Sequence, residues 1–315
     1  MKWVIYGAGA IGGVVGARLT MIGQDVLLVA RGEHLAAVQK SGITLVDPDG
    51  SHLIPIPAVG SLAGTDLADG DVIVLAMKTQ HTAAALDDVV ANAPAGVRIL
   101  CMQNGLDNER QALRFFDLVY GVSVTLLASF TEPGVVVAHS SPTVGILQLG
   151  LAAGGLDGFV DEAAGTLRAA GIRVDTSDDV MKYKRLKLTR NLGNAVDVVC
   201  DGAAPTVQGL LSAEADAVFA ATGLSLPAAD EVMPPPEPVH PSVPRQGGST
   251  LQSVLRGVGN VETDYLNGEI ALLGREAGVP TPANATMQHL AREVARGTRA
   301  PRSTSEADVL ALLGK

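Results

Sequence analysis

Val4-Ile5-Tyr6-Gly7-Ala8-Gly9-Ala10-Ile11-Gly12, running on into Gly13-Val14-Val15-Gly16-Ala17-Arg18-Leu19, decides the fold of the chain. A short apolar run passes at once into G-x-G-x-x-G and then into an apolar stretch at helical spacing. That is the strand-turn-helix context in which the motif binds a dinucleotide. The glycines meet three different needs. Gly7 makes the tight turn, Gly9 admits a pyrophosphate to the backbone, and Gly12 lets helix and strand pack closely. The helix start, at Ala10 and Ile11, turns unpaired N–H groups and a partial positive charge toward the phosphates, so no basic side chain is needed there. Gly7, Ala8, Gly9, Ala10, Ile11 and Gly12 are therefore the first cofactor-binding candidates.

The next strand, Val26-Leu27-Leu28-Val29-Ala30, ends where such a site reads the adenosine ribose. An NAD site places Asp or Glu there, and an NADP site meets the 2'-phosphate with an arginine. Here the tip reads Ala30-Arg31-Gly32. It carries no acid, and the Arg31 guanidinium can fork onto a phosphate. NADP (NADPH) is the favoured cofactor, with Glu33 two positions on leaving NAD open.

The chain has 315 residues, more than one core comfortably serves, so two domains are expected. It is 47% hydrophobic but only 3% aromatic, which suits buried parallel strands of small aliphatic side chains. The net charge of −10 argues against a general nucleic-acid binder. Cys101 and Cys200 stand far apart without metal-ligand spacing and are expected to be reduced, buried thiols. The chain enters a strand without a charged leader, and no apolar stretch reaches membrane-span length, so a cytoplasmic protein without a membrane partner is expected.

Downstream, Glu33 to Ser41 is helical in pattern. Gly42 to Gly50 reads as a strand entering a turn, with His52 to Val59 as its hairpin partner, confined to an edge by Pro55 and Pro57. The parallel sheet resumes at Asp71 to Lys78 and at Val97 to Gly105, whose polar ends place Lys78 and Asn104 where ligands of open α/β sheets collect. Strands over Tyr120 to Phe130, Val135 to His139 and Thr143 to Leu149, a helix from Leu156 to Ala170 and a strand around Ile172-Arg173-Val174 complete the first domain. The fold class is thus α/β: an N-terminal Rossmann-type, doubly wound parallel sheet over residues 1–175, followed by an all-helical domain over residues 176–315.

The second domain opens with Met181 to Asn194. On one continuous helix, Lys187, Asn191 and Asn194 would stack at i, i+4, i+7 and could line a cleft. The segment Pro227 to Arg245 holds too much proline for a helix or a central strand, and His240 within it is read as a loop residue. Two further helices are expected, one carrying Ser249 to Ser253 and later Val261 to Glu269 and ending past Ala271 to Glu276, and one over residues 283–297. The apolar faces of such a domain are compatible with a homodimer.

With these residues in place the chain resembles the ketopantoate reductase (2-dehydropantoate 2-reductase) family over nearly its whole length. The matching pieces are G-A-G-A-I-G, A-R-G-E-H-L after the second strand, Lys78, Q-N-G at 103–105, Lys187 with Asn191, Ser249 with Leu251-Gln252, and E-T-D-Y-L-N-G at 262–268. The resemblance implies an NADPH-dependent reduction of ketopantoate to pantoate, on the route to pantothenate and coenzyme A. It implies Lys187 as the catalytic lysine and proton donor and Glu262 as its glutamate partner. By the same carry-over, Arg31 and Lys78 serve the cofactor, Asn104 serves cofactor and substrate, and Asn191, Asn194 and Ser249 bind the 2-oxo acid. The chemistry agrees, since hydride delivery to a keto carbon builds charge on its oxygen that an ammonium stabilises and protonates.

Three departures fall on the substrate side. Where the family usually has a second asparagine this chain has Ala195 beside Asn194, the Ser249 to Glu262 spacing is longer than the family's by one residue, and the proline-rich segment is distinctive. Reduction of another 2-oxo acid, or a non-catalytic NADP(H)-binding sensor, are the alternative readings.

Overall fold

The apolar run at the start of the chain forms β1 (Lys2–Tyr6), buried from Trp3 onward, at the centre of an eight-stranded sheet. Beside it lie β2 (Asp25–Val29) and β6 (Val72–Leu75), both parallel to it. The sheet continues from β2 to the short β5 (Ala58–Val59). From β6 it continues through β7 (Arg98–Cys101), β8 (Val119–Leu126), β11 (Gly145–Leu151) and β12 (Ile172–Thr176). Only the β8–β11 pairing is antiparallel. Strand order reverses at β1, so the carboxyl ends of β1, β2 and β6 enclose the crevice where open α/β sheets bind ligands.

A second sheet departs from the expected hairpin. The hairpin exists as β3 (Ile43–Asp47) and β4 (Gly50–Ile54), but its return strand stops at Ile54. Residues 55–57, with two prolines, then carry the chain across to β5 in the main sheet. The hairpin is completed by β10 (Val135–Ala138), parallel to β3, and β9 (Ala128–Glu132), antiparallel to β10. Helix α1 (Ala10–Met21) lies between the two sheets, which explains a composition that is apolar all round. A Cβ on Gly13 would come within 2.6 Å of Val136 in the second sheet, and one on Gly16 within 2.7 Å of Leu28 in the first. Glycine at both positions lets one helix pack on two sheets at once.

Helices α2 (Gly32–Ser41), α3 (Thr82–Asn92), α4 (Asp107–Ala112) and α5 (Gly158–Ala169) follow in the order expected of crossovers. Asp157 caps α5 by accepting from the Val160 N–H at 2.9 Å, and it also accepts from the Tyr120 hydroxyl at 2.7 Å.

A computed structural model describes residues 1–232, 234 and 262–315 of the chain. Over these residues two compact units separate. One holds Met1–Gln103, Asn108–Tyr183 and the turn Ala229–Glu231; the other holds Asn104–Asp107, Lys184–Pro227 and residues 262–315. The chain changes unit at Tyr183/Lys184, inside α6 (Val180–Asn191), rather than at residue 175.

The second unit is helical: most of α6, then α7 (Asn194–Val199), α8 (Pro205–Thr222), a 3-10 turn (Glu262–Tyr265), α9 (Asn267–Ala277), α10 (Pro282–Ala295) and α11 (Glu306–Leu312). Helix α8 buries Val207, Leu211, Ala215, Val218 and Phe219, spaced along one face, and starts on Pro205. The continuous helix expected through Asn194 is broken. Leu192 N donates to Thr189 O, and Ala195 N to Leu192 O, so the chain tightens into i to i+3 bonds and turns a corner. Lys187 and Asn191 therefore share α6, whereas Asn194 begins α7.

Candidate active site

The first unit carries a cleft of about 250 Å³ at the carboxyl ends of β1, β2 and β6, lined by backbone at Gly7–Gly9 and Val29–Ala30 and by Tyr6, Arg31, His34, Met77, His81 and Phe130. Its glycines pass a steric test for a dinucleotide. Gly7 sits at φ +101°, and a Cβ there would lie 2.6 Å from Met77 N, so only glycine makes this turn. A Cβ on Gly12 would lie 2.2 Å from the Gly7 carbonyl oxygen, which makes Gly12 the contact between helix and loop. Around Gly9 the space is open to 4 Å, as a backbone position reserved for a pyrophosphate requires. Gly9 caps α1 without side-chain help, and the following N–H groups of Ala10, Ile11 and Gly12 begin the helix. The residues present fit the cofactor.

Among the described residues no carboxylate lines this cleft. Tyr6 donates its hydroxyl to Asp88 Oδ2 at 2.8 Å, and the same oxygen accepts the Leu62 N–H at 2.9 Å, which keeps Asp88 turned to the protein. Burial, with Asp88 adding to it, pushes the Tyr6 phenol up to about 12. Arg31, exposed at the tip of β2, pulls the other way.

Two cleft residues, His34 and His81, are absent from the candidates that the sequence offers. His34 is fixed chemically by its neighbours. Its Nε2 lies 2.7 Å from the Ala8 carbonyl, which can only accept, and its Nδ1 lies 2.9 Å from the Gly134 N–H, which can only donate. The ring is the neutral Nε2–H tautomer, tying the glycine loop to the turn between β9 and β10. Phe130 meets it edge-on at 4.9 Å. Burial is the first cause holding the His34 pKa below its ordinary 6.5.

Lys78 follows β6 and leads into the 3-10 turn Thr79–His81. Below it runs a buried polar chain: Gln103 Nε2 donates to Thr82 Oγ1 at 2.7 Å, Thr82 Oγ1 to Asn108 Oδ1 at 2.8 Å, and Asn108 Nδ2 to Thr79 Oγ1 at 3.3 Å. It fixes the ends of β6 and β7, and hence the backbone that presents Lys78.

In the second unit Lys187 stands on α6, part-buried, with Lys184 one turn earlier and Glu262 in the 3-10 turn before α9. Lys184 and Glu262 are buried, at 2% and 4% exposure. Withdrawal from water, then the like charge of Lys184, bring the Lys187 ammonium down from 10.5 to about 7, against the opposing pull of Glu262. Polar side chains tie together the elements that carry it. Asn267 Nδ2 donates to the Leu192 carbonyl at the α6–α7 corner, at 3.3 Å, and to Asn284 Oδ1 at 3.1 Å. Asn284 Nδ2 in turn donates to Glu214 Oε2 at 2.8 Å, and Glu214 also accepts the Ala283 and Asn284 N–H groups at the start of α10. This chain of bonds links the helix of Lys187 to the segment of Glu262.

Asn104, Asn191 and Asn194 belong to the same unit, each part-buried, while Ala195 is fully buried and offers no polar contact. Ser249, the spacing from it to Glu262, and His240 lie outside the described residues. Among the described residues no cluster of His, Cys, Asp or Glu has the makings of a metal site, and no helix is long and apolar enough to cross a membrane.

Residues 3–152 match the family model for ketopantoate reductase PanE/ApbA, and residues 155–295 match the model for its C-terminal domain. The chain belongs to the ketopantoate reductase family. Members are NAD(P)-dependent oxidoreductases. The chain is 30% identical to the 2-dehydropantoate 2-reductase of Pyrococcus horikoshii over 295 residues, covering 90% of this chain and 94% of that one. It is 29% identical to that of Archaeoglobus fulgidus over 303 residues, covering 93% and 97%. Among solved structures, a PanE/ApbA family ketopantoate reductase from Ralstonia eutropha superposes with a TM-score of 0.79 at 26% identity, covering 94% of this chain and 99% of that one. A D-mandelate dehydrogenase solved with NADH and anilino(oxo)acetate shares the fold at the same TM-score and 22% identity, with the same coverage.

Proposed function

We propose that the protein reduces ketopantoate to pantoate with NADPH, with Lys187 as the proton donor and Glu262 as its partner. The observation that carries this reading is the lysine brought down to about 7 beside a buried glutamate. A general acid works best when its pKa lies near the working pH, and an ordinary lysine would hold its proton too firmly. The cofactor, when bound, supplies a hydride to the C2 keto carbon. Lys187 stabilises the charge that develops on the keto oxygen and then delivers a proton to it. Glu262 holds Lys187 charged and accepts from a substrate hydroxyl, while Asn104, Asn191, Asn194 and Ser249 orient the acid.

On the cofactor side, Gly7, Ala8, Gly9, Ala10, Ile11 and Gly12 cradle the pyrophosphate, Lys78 adds positive charge, and Arg31 reads the 2'-phosphate. The NADP preference is supported by a cleft that offers Arg31 and no carboxylate to the ribose. A soluble, cytoplasmic biosynthetic enzyme that forms a homodimer agrees with the acidic chain and its helical unit.

Ala195 favours a second reading on the substrate side, because a buried alanine there leaves one fewer polar contact for a hydroxylated acid. Reduction of a less polar 2-oxo acid would use the same lysine. A panel of ketopantoate and simpler 2-oxo acids, each with NADPH and with NADH, tests both readings by its kcat/KM values. The highest value is expected for ketopantoate with NADPH. A higher value for an unhydroxylated acid moves the substrate, and NADPH binding without turnover on any acid leaves a sensor.

A further inference from the structure

The two histidines of the cofactor cleft differ in what they are free to do. Both ring nitrogens of His34 are committed to the backbone. His81 is exposed, and among the described residues its ring takes part in no hydrogen bond. It stands at the N-cap of α3 without capping it. It lines the same cleft as Arg31, and the charges that reach it come from Arg31 at the tip of β2 and Lys78 on the preceding turn. The other titratable groups facing the cleft are Tyr6, whose hydroxyl is bound to Asp88, and the neutral His34. Among the described residues His81 therefore meets two cations and no facing carboxylate, at the positive end of an 11-residue helix. This is the setting of an anion site whose last charge is missing until the anion arrives.

We infer that His81 is a second contact for the 2'-phosphate of the cofactor, beside Arg31, and that it takes up a proton as that phosphate binds. The inference rests on the NADP reading of the cleft. It makes the choice between the two nicotinamide cofactors depend on pH through one identified group. In the absence of a phosphate, partial withdrawal of the ring from water and then the nearby Arg31 and Lys78 hold the imidazole below its ordinary 6.5. A dianion placed between Arg31 and His81 reverses that balance. Proton uptake and NADPH binding are then linked, and each must strengthen the other. NADH carries no such phosphate, so its binding is not linked to His81. Preference for NADPH should rise as pH falls from about 8.5 to about 6.5, by at most about tenfold per pH unit for one linked proton. Below about pH 6 the phosphate begins to take a proton itself and the gain levels off.

Calorimetric titration of the whole protein with NADPH and with NADH, in buffers of different ionisation enthalpy at about pH 7.5, reads proton uptake directly and needs no turnover. At that pH the free phosphate is nearly all dianionic, so it has few protons of its own to exchange. A net fractional uptake is expected with NADPH and none with NADH. His81→Gln should abolish the uptake and flatten the pH dependence of NADPH affinity, while keeping a pH-independent NADPH preference through Arg31. Uptake that is absent, or unchanged in His81→Gln, with NADPH still preferred and Arg31→Ala losing that preference, overturns the role of His81 and leaves the NADP reading standing. Equal NADPH and NADH affinity in both the parent protein and Arg31→Ala overturns both.

Discussion

A lysine that titrates near neutrality gives the reduction a pH profile that an ordinary lysine cannot give. With a pKa of about 7, Lys187 is half protonated at pH 7. At pH 9 it keeps its proton about one time in a hundred, so kcat/KM for reduction should fall about fifty-fold between those values. A lysine at 10.5 would give a flat profile over the same range. The groups that set the value can be varied one at a time. Glu262 pulls the pKa up and Lys184 pushes it down, so Glu262→Gln should move the falling limb to lower pH and Lys184→Met should move it to higher pH. Lys187→Ala should cost about 10² to 10⁴ in rate and remove the limb. The assay is the initial rate of NADPH oxidation at low substrate, because kcat/KM reports the free enzyme and is blind to slow product release. A flat profile, or limbs that fail to move in opposite directions in the two variants, would refute this electrostatic account of the lysine.

Further consequences are open to direct test. Arg31→Ala should weaken NADPH by about 10-fold to 150-fold, the worth of a hydrogen bond to a charged group, and leave NADH nearly unchanged in a fluorescence titration. Gly9→Ala should fold normally, since its Cβ meets nothing within 4 Å, yet lose cofactor affinity. Gly12→Val should instead unfold at a lower temperature, because its side chain enters the Gly7 carbonyl. His34 offers its neutral form alone to Ala8 and Gly134, so below about pH 6.5 the unfolded chain gains a proton that the folded chain resists. Thermal stability should fall as pH drops from there toward the folded-state value. His34→Gln, which keeps a donor and an acceptor, should flatten that fall.

Much of the first unit was legible because buried parallel strands read as unbroken apolar runs, and β1, β2, β6 and β7 all do. The second sheet was less so. Pro55 and Pro57 mark the end of β4, but local sequence does not say that residues 58–59 join β2 instead of β3. The corner at Leu192 was hidden for a similar reason, since the carbonyl that turns there is taken by Asn267, which lies far along the chain. Helical spacing set Lys187 in a polar stripe with Asn191 and Asn194, but its catalytic role, and Glu262 altogether, came only from the family resemblance, because neither periodicity nor charge separates a lysine near neutrality from a solvated one. For His81 a signal did exist: it lies three residues past Lys78, just beyond the carboxyl end of a central strand, where ligands collect. His34 lay inside the A-R-G-E-H-L motif, but its role was hidden, since its partners Ala8 and Gly134 come from the glycine loop and from the turn between β9 and β10.

The measurement that tests the central claim most directly is the fate of hydride. The protein is given NADPH deuterated at the transferring position together with ketopantoate, and the acid product is analysed by mass spectrometry and NMR. The account predicts pantoate carrying one deuterium at C2, formed in step with NADPH consumption and lost in Lys187→Ala to the extent that the rate is lost. Bound NADPH with no deuterated pantoate, while another 2-oxo acid or none at all takes up the label, would contradict it.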